Sequence, residues 1–197
     1  MEKHVLGLEL PTDPRWVDIA EKNIGDILTD HAYCEQKAAT SCISLIVLFY
    51  DKEKLVDMLT PVVAEEWEHF SRVIAELKKR NLTLGPQRKD EYVEQLIKLM
   101  KKGGDRDQQL VEKLLMNAMI EARSCERFRL LWKGIGDKAL SDFYYELMVS
   151  EAGHYKSFLS LAKEYDDPQQ VHTRWHELLT QEAEIIKSLG VRGDRMH

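Results

Sequence analysis

Apolar side chains recur along this chain every three or four residues, and no stretch of useful length alternates apolar with polar positions. That period belongs to amphipathic α-helices. Trp16, Ala20, Ile24, Ile27, Leu28, Ala38, Ala39, Cys42, Ile43 and Ile46 keep it over about 16–49, behind the start signal Thr12-Asp13-Pro14 and with a break expected near Gly25. A second helix is predicted over about 52–80, with Pro61 inside it expected to kink or divide it just before Glu66. A shorter amphipathic helix over about 90–102 ends at Gly103-Gly104, and a third long one runs over about 107–132 until Gly134 and Gly136 break it. The fourth, about 137–165, carries Leu140, Phe143, Leu147, Phe158 and Ala162; Asp166-Asp167-Pro168 then opens a last helix over about 168–189, expected outside the others. The tail from Gly190 is expected to fray. The reading is a single all-α domain over 1–197, with four long helices and two extra ones.

Within this pattern, Glu66 and His69, and again Glu151 and His154, stand three residues apart, which puts each pair on one side of a helix. With 20 Glu and 7 His among 197 residues, a Glu-x-x-His is expected about 0.7 times by chance, so two copies alone decide little. Their context decides more. Glu35 precedes Glu66 by 31 residues and Glu121 precedes Glu151 by 30, so the chain reads Glu, Glu-x-x-His, Glu, Glu-x-x-His. Four carboxylates and two imidazoles are the ligand set of a carboxylate-bridged two-metal site inside a four-helix bundle.

Neighbours three, four and seven residues away tell which way each glutamate points. Around Glu66 they are Leu59, Val62, Val63, Phe70 and Val73, and around Glu151 Tyr144, Leu147, Met148, Tyr155 and Phe158. Glu35 and Glu121 sit among mostly small or apolar residues, whereas Glu68 shares its face with Glu65, Ser71 and Arg72 and Glu126 with Arg123, Arg129 and Lys133. Ordinary surface glutamates would explain any one of the four, but not all four together. Buried carboxylates this close need neutralising, and two divalent cations balance their four charges. Oxygen donors with one imidazole per metal favour iron or manganese over copper or structural zinc. A pair of ferrous ions can deliver two electrons to O2 for attack on an unactivated C–H bond, with an external donor resetting the site.

Composition narrows the class. The chain is 44% hydrophobic and 31% charged with 5 Pro, a helix-rich globule long enough for one core. Met1–Pro11 holds no signal-like apolar run, and the longest apolar stretch, Cys42–Tyr50, is far too short for a bilayer, so no membrane association and a cytoplasmic location are expected. Cys34, Cys42 and Cys125 lack Cys-x-x-Cys spacing and read as buried thiols. The net charge of −6 argues against a generally basic nucleic-acid binder, yet Lys78 to Arg106 holds nine basic residues against four acidic ones. That segment reads as a lysine-rich connector or a local phosphate-binding patch. Ala38, Ala39, Ala118 and Cys125 read as close helix packing or as room near the ligands, His31, one turn before Glu35, as a supporting partner of that ligand or, preferably, a satisfied interior histidine, and His172 with His176 as a surface pair.

The runs Leu10-Pro11-Thr12-Asp13-Pro14-Arg15-Trp16, Leu28 to Ala39, Glu121-Ala122-Arg123-Ser124-Cys125-Glu126-Arg127-Phe128 and Ser150-Glu151-Ala152-Gly153-His154-Tyr155 resemble the bacterial tRNA hydroxylases of the MiaE type, and the resemblance covers nearly the whole chain. It implies a ferritin-like four-helix bundle with additional flanking helices, holding two iron ions on Glu35, Glu66, His69, Glu121, Glu151 and His154. It implies a non-haem di-iron monooxygenase that uses O2 and an external electron donor to hydroxylate the isopentenyl group of 2-methylthio-N6-isopentenyladenosine beside a tRNA anticodon. On that reading Lys78, Lys79, Arg88, Lys101 and Lys102 contribute phosphate contacts to the anticodon stem-loop. A bacterioferritin-like ferroxidase or iron-storage protein shares the ligand pattern, but the last helix and the basic insert fit it poorly, and a monomer or small oligomer is expected instead of a cage. A non-enzymatic helical protein with vestigial ligands is the other alternative.

Overall fold

Each place where the apolar stripe stops is a place where the backbone leaves the helix. The computed structural model describes residues 5–196, and among them the regular elements are all helical. After a 3₁₀ turn at Val5–Gly7 come α1 (Arg15–Lys22), α2 (Ile24–Leu48), α3 (Glu53–Lys79), α4 (Glu91–Leu99), α5 (Arg106–Gly134), α6 (Lys138–Tyr165) and α7 (Pro168–Leu189). Aspartates start four of them: Asp90, Asp105, Asp137 and Asp167 each accept from a backbone N–H of the first turn, and Gln108 completes a capping box with Asp105. Gly104, with φ +78°, lets the chain pass close to that box; a Cβ there would stand 2.3 Å from Gln108 Oε1.

Three expectations need correction. The helix predicted over 16–49 is two helices, because Asn23 (φ −124°, ψ 34°) leaves helical geometry and its side-chain amide donates to Ile19 O at 2.7 Å. An asparagine amide competes with the backbone for hydrogen bonds, so the break expected near Gly25 falls two residues before it. Pro61 does not divide α3, which runs unbroken from Glu53 to Lys79. Pro61 and Asp57, whose carbonyl it leaves without its helical donor, are both exposed, so the lost bond lies on the solvent side. The tail does not fray: Gly190 turns it, Asp194 receives Arg88, Arg192 and Arg195, and Met196 is fully buried with its N–H donated to Asp30 Oδ2 at 2.8 Å.

Helices α2 and α3 form one antiparallel hairpin and α5 and α6 another, and the two hairpins pack face to face. Helix α4 lies along the crossover between them, α7 packs on α4, α5 and α6, and α1 on α5 and α2. The apolar core is consequently in two parts. One, with Cys42, Leu45, Leu59, Leu114, Phe158 and Ala162, fills the end where α2 gives way to α3; the other, with Leu28, Ala32, Val73, Leu77, Phe128 and Leu147, fills the opposite end. On each of the four long helices the residues between these two sets include a glutamate.

A second buried polar network lies on the far side of α5. Arg123, fully buried, holds Glu182 through two hydrogen bonds of 2.9 Å and Glu126 through one of 2.8 Å, while Glu126 accepts from Thr12 N and Oγ1 at 2.7 and 2.6 Å. It ties the segment before α1 to α5 and α7. Among the described residues, no helix is long and apolar enough to cross a membrane.

Candidate metal centre and adjoining cavity

The glutamates between the two core parts all turn inward. Glu35, Glu66, Glu121 and Glu151 are at most 4% exposed, and His69 and His154 at most 5%. Their donor atoms form two sets, Glu35, Glu66, His69 and Glu151, and Glu66, Glu121, Glu151 and His154, each lying within 4.8 Å of one another. Glu66 and Glu151 belong to both sets, so two cations held here would share those two carboxylates, with one further carboxylate and one imidazole for each.

Contacts within the cluster are close but poorly satisfied. His154 Nδ1 stands 2.7 Å from Glu66 Oε1 and 3.0 Å from Glu151 Oε2, and His69 Nδ1 is 3.4 Å from Glu151 Oε1 and 3.8 Å from Glu35 and Glu66. Both oxygens of Glu66, Glu151 Oε1 and His69 Nδ1 are nevertheless buried without an aligned hydrogen bond. Buried donors and acceptors are normally paired, and lone pairs that converge without aligning on one another suit a shared cation. Burial raises Glu35 and Glu121 well above the usual carboxylate range, and the charge of Glu151 adds to it. Burial alone would lower His69, but Glu151, Glu35 and Glu66 push it up to about 12; His154 is pushed up to about 11 by Glu151 and Glu66 against the same burial. Without cations, then, protons do the neutralising.

Outer partners hold these groups. His31 Nε2 lies 2.5 Å from Glu35 Oε1, and its fully buried ring packs at 4.8 Å from Phe128 and 5.6 Å from Tyr144. Of the two readings of His31, the geometry favours the supporting partner over the merely satisfied interior residue, since it contacts one of the clustered carboxylates. Glu65, half exposed, places Oε2 2.9 Å from His154 Nε2, fixing that ring from outside. No local pattern marks Glu65, because its partner is 89 residues away. Glu126 faces the network on the other side of α5 and Glu68 is exposed. His172 and His176 form an exposed pair at 3.2 Å.

A cavity of about 320 Å³ opens between α2, α4 and α5, with Glu121 among the residues that line it. Cys34, Ala38, Leu45, Val93, Ile97, Met116 and Ile120 supply most of its wall, and Lys37, Ser44 and Lys113 line it as well. Of the small residues near the glutamates, Ala38 lines this space, whereas Ala39, Ala118 and Cys125 are buried in packing outside its lining.

The five basic residues expected to form one patch are not together. Lys79 pairs with Glu76 at 2.5 Å and Arg88 with Asp26 and Asp194, near the start of α2 and the end of α3, where Lys78 also lies. Lys101 bonds through its backbone N–H to Glu112 and through its side chain to Glu177 at the start of α5, and Lys102 follows it. The two groups therefore meet different elements, with α4 between them in the chain. Contiguity in sequence misled here because α4 carries the connector along the length of the bundle.

A ferritin-like helical bundle built around an interior cluster of four glutamates and two histidines is the class that fold and site define. The family model described as tRNA-(MS[2]IO[6]A)-hydroxylase (MiaE) matches residues 1–197, and the chain belongs to that family. It is 34% identical over 181 residues, 92% of this chain and 87% of the relative, to the tRNA 2-(methylsulfanyl)-N(6)-isopentenyladenosine(37) hydroxylase of Pseudomonas putida. It is 26% identical, over 92% of this chain and 84% of the relative, to the protein of the same description from Salmonella typhimurium. Among solved structures it resembles a Synechococcus protein described as having aldehyde deformylating oxygenase activity, with a TM-score of 0.90, 31% identity and coverage of 96% of this chain and 94% of that one.

Proposed function

We propose that this chain is an O2-dependent tRNA hydroxylase that places a hydroxyl on the isopentenyl group of 2-methylthio-N6-isopentenyladenosine, working in the cytoplasm on the anticodon stem-loop. The observation that carries the reading is a family match over the full sequence combined with a mostly apolar cavity lined in part by Glu121 of the carboxylate cluster. Nothing in the relatives favours the iron-storage alternative.

Two iron ions fit the donors present: Glu35 and His69 would serve one, Glu121 and His154 the other, and Glu66 and Glu151 both. Bound there, the pair supplies the electrons that reduce O2, one oxygen atom entering the C–H bond and the other leaving as water, with two electrons and two protons drawn from an external donor. The chain's own part is positional. His31 and Glu65 hold Glu35 and His154 in place, the two core parts exclude water from either side, and Ala38, Met116 and Ile120 offer an apolar surface to a branched alkenyl chain. Lys113 stands at the cavity and suits a phosphate next to the inserted nucleotide, Lys37 being paired there with Asp90, while Lys78, Lys79 and Arg88 on one side and Lys101 and Lys102 on another would meet separate parts of a tRNA.

Iron-loaded protein incubated with prenylated tRNA, O2 and a reductant is expected to convert the nucleoside to one carrying an added oxygen, read by mass spectrometry of the digest. An unchanged nucleoside, with the metal verified, rejects the function. The Synechococcus neighbour favours a second reading, a free aldehyde in the same cavity. Formate release from an aldehyde, with no change in the tRNA, would select it.

A further inference from the structure

Resting on that reading, we infer that Asn117 and Ser41 form the base-reading element of the cavity and set how deep the alkenyl chain reaches. Both are uncharged polar residues in the middle of long helices, where asparagine and serine carry a propensity cost that alanine would not. Both line the cavity, whose wall is otherwise mostly apolar. Ser41 Oγ donates to Asn117 Oδ1 at 2.9 Å, across the gap between α2 and α5, and Asn117 Nδ2 donates to Lys113 O at 2.8 Å.

An asparagine amide has two acceptor lone pairs and two N–H donors. With one of each committed to Ser41 and Lys113, one acceptor position and one N–H remain on a side chain that is only 9% exposed. That pair complements the N6–H and N7 edge of an adenine, the edge an asparagine reads with two hydrogen bonds. An N6-alkylated adenine keeps one N6–H, and with its chain turned toward N1 that hydrogen lies beside N7.

Position agrees with this pairing. Asn117 precedes Glu121 by four residues, so the two share one face of α5 about one turn, roughly 5.4 Å, apart. A five-carbon branched chain on N6 spans a comparable length. A purine held by Asn117 therefore directs the tip of its substituent toward Glu121. The ligand class is an adenine alkylated on its exocyclic nitrogen.

Steady-state kinetics of metal-loaded wild type, Asn117→Ala, Asn117→Asp and Ser41→Ala on a prenylated stem-loop test this, with the same stem-loop carrying 7-deaza-adenine as a second substrate. Asn117→Ala and the nearly isosteric Asn117→Asp are expected to raise KM by about tenfold or more, and Ser41→Ala by less. Loss of N7 should raise KM for wild type by a similar factor and add nothing in Asn117→Ala. The position of the new hydroxyl, single for wild type, should spread over several carbons in Asn117→Ala. Equal 7-deaza penalties in wild type and Asn117→Ala, or unchanged KM and product position, overturn the assignment and leave the pair as a tie between helices. If Asn117→Ala does not fold, Asn117→Asp carries the same comparison. A wild type that never turns over the prenylated stem-loop removes the proposed function itself, whereas an active wild type with unaffected variants removes only the clamp.

Discussion

Glu66 and Glu151 belong to both donor sets, whereas Glu35 and Glu121 belong to one each. Replacing either shared carboxylate by alanine is therefore expected to abolish metal binding, while Glu35→Ala or Glu121→Ala lowers bound metal by about half; elemental analysis of metal-replete protein checks this. The titration of the same cluster gives a pH dependence. Glu35, Glu121, His69 and His154 all bind protons more tightly in the metal-free fold than in the unfolded chain. Groups raised in this way contribute stability that is present at low pH and lost as pH rises. Glu151, held well below its usual range, adds no slope above about pH 5, where it is ionised folded and unfolded. Metal-free protein should thus lose thermal stability between about pH 5 and 8 while the metal-loaded form is spared, so the Tm difference widens upward in pH. A gap that narrows instead refutes the cluster's role. The inward direction of the four glutamates was legible from neighbours three, four and seven positions away, a local property. His31 stands one turn from Glu35, so its pairing was open to a local reading, whereas Glu65 with His154 and Arg123 with Glu182 were not legible, because a contact across the fold leaves no periodic trace in either segment.

At the scale of single helices, α5 departs most from an amphipathic surface helix: from Leu114 to Phe128, all but Ile120 are buried. Arg123 and Glu126 are held there by pairing, whereas Arg127 lies against the Trp16 ring. Arg123→Ala is expected to destabilise the protein by about 3–5 kcal/mol, since Glu126 and Glu182 would be left as buried charges. Urea denaturation measures the loss, and metal content of the folded fraction should not change. Helix α3 supplies the opposite case. Pro61→Ala is expected to raise stability by about 1–3 kcal/mol in the same assay, because the alanine restores a helix bond at a site already helical. Periodicity and aspartate caps made the long helices readable, and the break at Asn23 was blurred because apolar spacing continues through Ala20, Ile24 and Ile27. Pro61 does not divide the helix, because the hydrogen bond it removes lies on the solvent-facing side.

Across the whole molecule, charge and tail show what a linear reading misses. Lys113→Gln is expected to weaken stem-loop binding and flatten its salt dependence by about one unit of slope, whereas Lys78→Gln with Lys79→Gln, at one end of the bundle, should change loop binding little. Fluorescence titration at several salt concentrations separates the two. The segment after Gly190 passes so near α1 that a Cβ on Gly193 would stand 2.1 Å from Ile19 Cγ2, and it ends with Met196 in the core part near α1. Met196→Ala should lower stability by about 2–5 kcal/mol. The alternation of apolar core, acidic layer and apolar core along the bundle has one more consequence. Each hairpin brings two carboxylates and one imidazole, and each donor set draws on both hairpins. Neither hairpin by itself can offer a complete nest for an ion, so cations enter only after the halves have met. Metals held there would act as a late clasp, whose removal is expected to loosen the seam at mid-height before either apolar end gives way.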